Sequence, residues 1–162
     1  WHKKELAETF NKEDIRGNLS DAVKGADVFI GVSKGNLLTT DMVKSMNKDA
    51  IIFAMANPTP EILPDVAKQA GAKVVGTGRS DFPNQVNNVL AFPGIFRGAL
   101  DAKARKITKN MKIAAAKAIA GVISDDELNV DNILPKPFDK RVKVAVSKAV
   151  FDAAIADGVC RM

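Results

Sequence analysis

The stretch Ala50-Ile51-Ile52-Phe53-Ala54-Met55-Ala56 decides the fold. Read as a strand, it is apolar on both faces. Such a strand must be covered from both sides, which is the mark of a parallel sheet held between helices. Upstream, Asp27-Val28-Phe29-Ile30-Gly31-Val32 is a second strand of the same kind. Downstream, Lys73-Val74-Val75-Gly76-Thr77 is a third. Helical segments separate them. Ser20 to Gly25 reads as a short helix with a Ser N-cap and a Gly stop. Thr39-Thr40-Asp41 opens a helix carrying Met42, Val43 and Met46. A third helix runs from Ile62 to Ala70 and stops at Gly71.

Alternating strands and helices with right-handed crossovers make half of a doubly wound sheet. The fold class is therefore α/β: a Rossmann-like half of a doubly wound parallel sheet, followed by C-terminal helices. Gly78 to Asn88 is a polar loop. Pro93 to Ala104 and Lys109 to Ile123 read as helices, the second with Met111, Ala115, Ile119 and Val122 at helical spacing. Pro135-Lys136-Pro137-Phe138 breaks the chain. Asp139 caps a last helix with Val142, Val146, Ala149, Val150 and Ala153, stopped by Gly158; the tail Val159 to Met162 reads as loose.

Composition narrows the chemistry. The 162 residues are 46% hydrophobic and 27% charged, an ordinary globular balance. There is no Tyr, one His (His2) and one Cys (Cys160), which argues against His-based catalysis, Cys/His metal sites and a disulfide framework. A single Cys suits a reducing cytoplasm. Lys and Arg exceed Asp and Glu by 24 to 19, a net charge of +5, but the basic residues are spread out, which argues against nucleic acid as a partner. No apolar run is long enough to span a membrane. The first residue is Trp1 rather than Met, so the chain is expected to be a piece of a larger protein.

In open α/β sheets ligands bind beyond the carboxyl ends of the strands. Three loops sit there. Gly31-Val32-Ser33-Lys34-Gly35-Asn36 offers backbone amides and a hydroxyl, and its Gly lets a ligand approach the backbone. It reads equally as a plain strand-to-helix connection. In Ala56-Asn57-Pro58-Thr59-Pro60, the following proline holds Asn57 extended. Its amide serves either a ligand or a turn. Thr77 to Val89 is long and lacks apolar periodicity, as functional loops often do. Asn87-Asn88 adjoins an apolar run. The two amides are therefore expected to be partly buried and to need partners, from a ligand or from the loop itself. Arg79 and Asp81 read as an acid/base or clamp pair, or as an internal ion pair. Asp125-Asp126-Glu127 reads as a solvated acidic turn, since it lacks the full calcium-loop pattern. No G-x-G-x-x-G fingerprint follows a strand.

Ala26 to Ser33, Phe53 to Ile62, Thr77 to Gly94 and Ile133 to Asp139 together resemble the C-terminal part of malic enzymes, especially the short bacterial type. The Arg79 to Gly94 stretch is the most specific. The resemblance implies oxidative decarboxylation of malate to pyruvate and carbon dioxide, with NAD or NADP and a divalent cation, Mg or Mn. It implies that the backbone of Gly31, Val32 and Ser33 lies along the dinucleotide. By the same resemblance Asn57 contacts cofactor and substrate, Asn87 contacts the cofactor, and Asn88 contacts the substrate. The family's catalytic Tyr and Lys, its acidic metal ligands and its Gly-rich phosphate loop lie upstream of the matched portion. No catalytic and no metal residue is therefore assigned, and the isolated chain is expected to be inactive. Residues 1–104 are expected to form a partial dinucleotide-binding domain, with 105–162 a helical segment packed on it. An exposed first strand would favour a homo-oligomer or pairing with the missing N-terminal half. The alternative reading is a dinucleotide-binding half-domain of another amino-acid-dehydrogenase-like enzyme.

Overall fold

Strand β2 (Ile51–Ala54) forms where the apolar run predicts it, with Ile52 and Ala54 fully buried. Strand β1 (Val28–Gly31) pairs with it in parallel, Val28 opposite Ile51 and Gly31 opposite Ala54. Strand β3 (Val74–Thr77) completes a three-stranded sheet in the order β1-β2-β3. The sequence expectation of cover on both faces fails at β1. Phe29 and Gly31 are buried, but Val28 is 46% and Ile30 63% exposed, because no described residue closes over that face. The computed structural model describes residues 2–161, and the side chains of 4–161. The chain divides inside β3 into two compact units, 1–74 and 75–162.

In the first unit, helix α1 (His2–Phe10) precedes α2 (Leu19–Val23). The cap of α2 is Asn18, not Ser20: the Ser20 amide donates to Asn18 Oδ1 at 2.8 Å, and the Asn18 amide donates to Asp21 Oδ2 at 2.8 Å. This reciprocal capping box outcompetes a lone serine. Helix α3 (Thr40–Ser45) takes the expected Thr39 cap. Helix α4 (Pro64–Gln69) starts at its proline, two residues after Ile62, because Glu61 and Ile62 are buried beneath the strand-end loops. Val23, Val43, Met46, Ala67 and Ala70 join Phe29 and Ile52 in the buried set.

The second unit is built on α5 (Phe92–Asp101), α6 (Lys109–Ala120) and α7 (Lys140–Ala156). Met111, Ala115, Val142, Val146, Val150 and Ala154 form its core. Thr108 caps α6 through the Met111 amide, and its hydroxyl also donates to Asp157 at the end of α7. Asp139 caps α7 as expected. The tail is not loose: the Arg105 amide donates to Val159 O at 2.9 Å and the Arg161 amide to Lys103 O at 3.0 Å, an antiparallel bridge. Met162 lies outside the described residues.

Helices α5 and α7 touch through glycine. A Cβ on Gly94 would lie 2.6 Å from Val146 Cβ, and one on Gly98 would fall on the Ser147 carbonyl oxygen. The second obstacle is backbone and cannot rotate aside. Gly98→Ala is expected to cost about 1–3 kcal/mol by overpacking, read as a lower denaturant midpoint; an unchanged midpoint would contradict the close approach.

Candidate functional site

The loops after β1 and β2 are joined by one buried side chain. Glu61 is fully buried, and its two carboxylate oxygens accept from different loops. The Ser33 amide donates to Oε1 at 2.9 Å and the Ala56 amide donates to Oε2 at 3.1 Å. The neighbouring backbone continues the join. Asn36 N–H donates to Pro60 O, and Leu38 N–H to Glu61 O, each at 3.0 Å. A Cβ on Gly31 would lie 2.5 Å from Glu61 Cδ and 2.6 Å from Oε1. A Cβ on Gly35 would lie 2.7 Å from Thr59 Cβ. The two glycines are therefore required by the segment Thr59–Glu61, which occupies the room they leave.

Outside this join stand the residues the sequence singled out. Gly31 itself is buried, whereas Val32 is 76% exposed and Ser33 and Asn57 are also exposed. The Asn57–Pro58 bond is cis. Among the described residues the Asn57 amide has no hydrogen-bond partner, so both its donor and its acceptor are open to a ligand. Sequence reasoning missed Glu61. Its one local signal is a carboxylate set between Pro60 and the apolar pair Ile62-Leu63.

The loop after β3 belongs to the second unit. Its shape comes from Asn84, which is 5% exposed with φ of 54°. The Asn84 Nδ2 donates to Val75 O at 3.1 Å and Val130 O at 2.8 Å, and its Oδ1 accepts from the Ile133 amide at 2.9 Å. Sequence reasoning missed this residue as well. Asn87 and Asn88 are exposed, contrary to the expected partial burial. The apolar neighbour that suggested burial, Leu90, turns inward through a 3-10 turn at Asn88–Leu90, leaving the two amides outside. Asn87 Oδ1 accepts from the Val89 amide at 3.0 Å and so caps that turn. The Asn88 side chain has no hydrogen-bond partner among the described residues. Thr77 is buried, and its hydroxyl has no partner among the described residues either.

Arg79 and Asp81 resolve to an internal ion pair, with Arg79 Nη2 donating to Asp81 Oδ2 at 2.6 Å and Nε to Oδ1 at 2.9 Å. The Arg79 hydrogen bond holds the Asp81 carboxyl below its ordinary value. Neither group is free for proton transfer. A cleft of about 410 Å³ lies between Phe82–Gln85 and Asn132–Phe138, and none of the six candidate residues lines it.

Glu127 of the acidic run is likewise engaged. Arg141 donates to both its oxygens, at 2.9 and 3.1 Å, and Ser124 adds its amide and hydroxyl. Among the described residues no three His, Cys, Asp or Glu side chains converge to hold a metal ion. No described helix is long and apolar enough to cross a membrane.

The Arg141 hydrogen bond, followed by those of Ser124, lowers the Glu127 carboxyl from 4.5 to about 2. Because the folded value is depressed, the stabilisation is complete above 4.5 and is lost as pH falls toward 2. An NMR titration is expected to place the Glu127 midpoint near 2, and Arg141→Met is expected to return it toward 4.5. A midpoint near 4.5 in the unaltered chain would contradict the clamp.

The family model described as malic enzyme, NAD binding domain, matches residues 2–155. The bifunctional malic/malolactic enzyme of Bacillus subtilis (strain 168) is 62% identical over 160 residues, covering 99% of this chain and 39% of that protein. The NAD-dependent malic enzyme of Geobacillus stearothermophilus is 54% identical over 157 residues, 97% of this chain and 33% of that protein. The crystal structure of malic enzyme from Pyrococcus horikoshii Ot3 superposes with a TM-score of 0.89 at 46% identity, covering 98% of this chain and 39% of that one. The chain thus spans well under half the length of these relatives. The matches do not favour another dehydrogenase group.

Proposed function

Because the chain belongs to the malic enzyme NAD-binding domain family, we propose that it is the cofactor-side portion of a malate oxidoreductase. The whole protein would convert malate and NAD or NADP to pyruvate, carbon dioxide and the reduced dinucleotide. The observation that carries this reading is the joined pair of strand-end loops, which holds the Ser33 and Ala56 amides on one buried carboxylate, next to exposed Val32 and an Asn57 amide that has no partner among the described residues. Loops at the carboxyl ends of parallel strands are where such folds take dinucleotides.

In this reading Gly31, Val32 and Ser33 line the dinucleotide with backbone. Asn57 orients both cofactor and malate, Asn87 keeps its amide donor for the cofactor while its oxygen caps the turn, and Asn88 binds malate. When bound, the dinucleotide supplies the hydride acceptor. The reading also calls for a divalent cation, Mg or Mn, which in such sites supplies Lewis-acid chemistry. Among the described residues no three acidic side chains converge to hold it, and Glu127 is taken by Arg141 and Ser124. Its ligands, and the catalytic Tyr and Lys, belong in this reading to a segment ahead of Trp1. Residues 1–104 are then a partial dinucleotide-binding domain, and 105–162 its closing helices. The protein works in the cytoplasm as a homo-oligomer, or by pairing with that segment.

Two outcomes follow. The isolated chain, with malate, Mg or Mn, and either dinucleotide, is expected to form no NADH or NADPH by absorbance. Malate-dependent reduction by the pure chain would overturn the division of labour. In the intact protein Asn88→Ala is expected to lower kcat/KM for malate by about 10–100-fold, the worth of one hydrogen bond to a charged group. An unchanged kcat/KM would remove Asn88 from the site.

A further inference from the structure

We propose that Glu61 is a positioning residue for the dinucleotide, fixing the separation of the Val32-Ser33 and Asn57 backbones through its two carboxylate oxygens. The proposal rests on the dinucleotide reading above and adds to it a residue that touches neither cofactor nor substrate.

A fully buried carboxylate is costly unless its oxygens are paired, and Glu61 forms no ion pair among the described residues. Its partners are instead two backbone amides from two different loops, Ser33 and Ala56, which are 28 and 5 residues away in the chain. A helix or strand partner would have satisfied it as well, and either would have left the loops independent. The carboxylate is also the reason position 31 has no side chain, because it stands where a Cβ would be. Outside the tie, on the same two backbones, lie exposed Val32, Ser33 and Asn57. The spacing of the groups a dinucleotide would meet is therefore set by one rigid side chain beneath them. Preorganisation of this kind lowers the cost of ordering loops on binding.

Glutamine tests the tie at constant volume. It keeps one acceptor oxygen but turns an NH₂ donor toward the other amide, so one of the two loops is released. In the intact protein, NADH and NADPH binding is followed by fluorescence, beside the thermal midpoint. Glu61→Gln is expected to weaken binding about tenfold or more, as loss of loop positioning does. Gly31→Ala pushes a Cβ onto the carboxylate and is expected to weaken binding similarly. The double variant is expected to fall no further than Glu61→Gln alone, since both act through one contact. Gly98→Ala, in the other unit, is expected to lower the midpoint while binding stays as in the unaltered protein. Unchanged binding in Glu61→Gln would overturn the proposal alone. So would failure of both Glu61→Gln and Gly31→Ala to fold while Gly98→Ala folds, which would make Glu61 a folding residue. Absence of NADH and NADPH binding in the unaltered protein would overturn the dinucleotide reading and this proposal with it.

Discussion

A buried carboxylate that must find two hydrogen-bond donors governs the first unit. Glu61 is fully buried and forms no ion pair among the described residues, and the amides of Ser33 and Ala56 satisfy its two oxygens. That demand propagates. Gly31 has no room for a Cβ, and Gly35 is pressed on Thr59. Asn36 and Leu38 run alongside Pro60 and Glu61 in backbone hydrogen bonds. Two loops that could have been independent become one body, and they are the two that follow neighbouring parallel strands.

The second unit solves a different problem by similar means. Its long loop is shaped by a buried amide, Asn84, which spends both donors and its acceptor on backbone groups at 75, 130 and 133. Its helices meet through glycines that let α5 reach the backbone of α7. In both units a polar group or a missing side chain, rather than apolar bulk, fixes where the loops lie. The loop surfaces are thereby left free: among the described residues, Asn57 and Asn88 have no side-chain hydrogen-bond partner.

Much of this was legible in the sequence, and the division has a physical cause. Apolar runs at 28–31, 51–54 and 74–77 announce strands because periodicity is local. Thr39 and Asp139 announce helix starts for the same reason. The Asn18 cap was displaced from Ser20 only by a two-residue competition that Asp21 settles. Glu61 and Asn84 were not legible, because their partners lie up to 28 and 49 residues away and no spacing marks them. The exposure of Asn87 and Asn88 was misjudged because an apolar neighbour, Leu90, turns inward without taking them along. The tail at 159–161 carries no strand pattern, because its partner, 103–105, is a turn that meets it through one isolated bridge. The candidate loops around Asn57 and Asn87-Asn88 are legible only by position at strand ends and by family resemblance, not by any pattern of burial.

The account depends most on the tie between the two loops, and amide hydrogen exchange at Ser33 and Ala56 measures it directly. Loop amides bound to a buried carboxylate should exchange as slowly as the Met55 amide, which donates to Gly31 O in the sheet. That is the expected result. Exchange of Ser33 and Ala56 as fast as the Lys34 amide, which has no partner among the described residues, would contradict it, and would leave the two loops as separate, mobile connections.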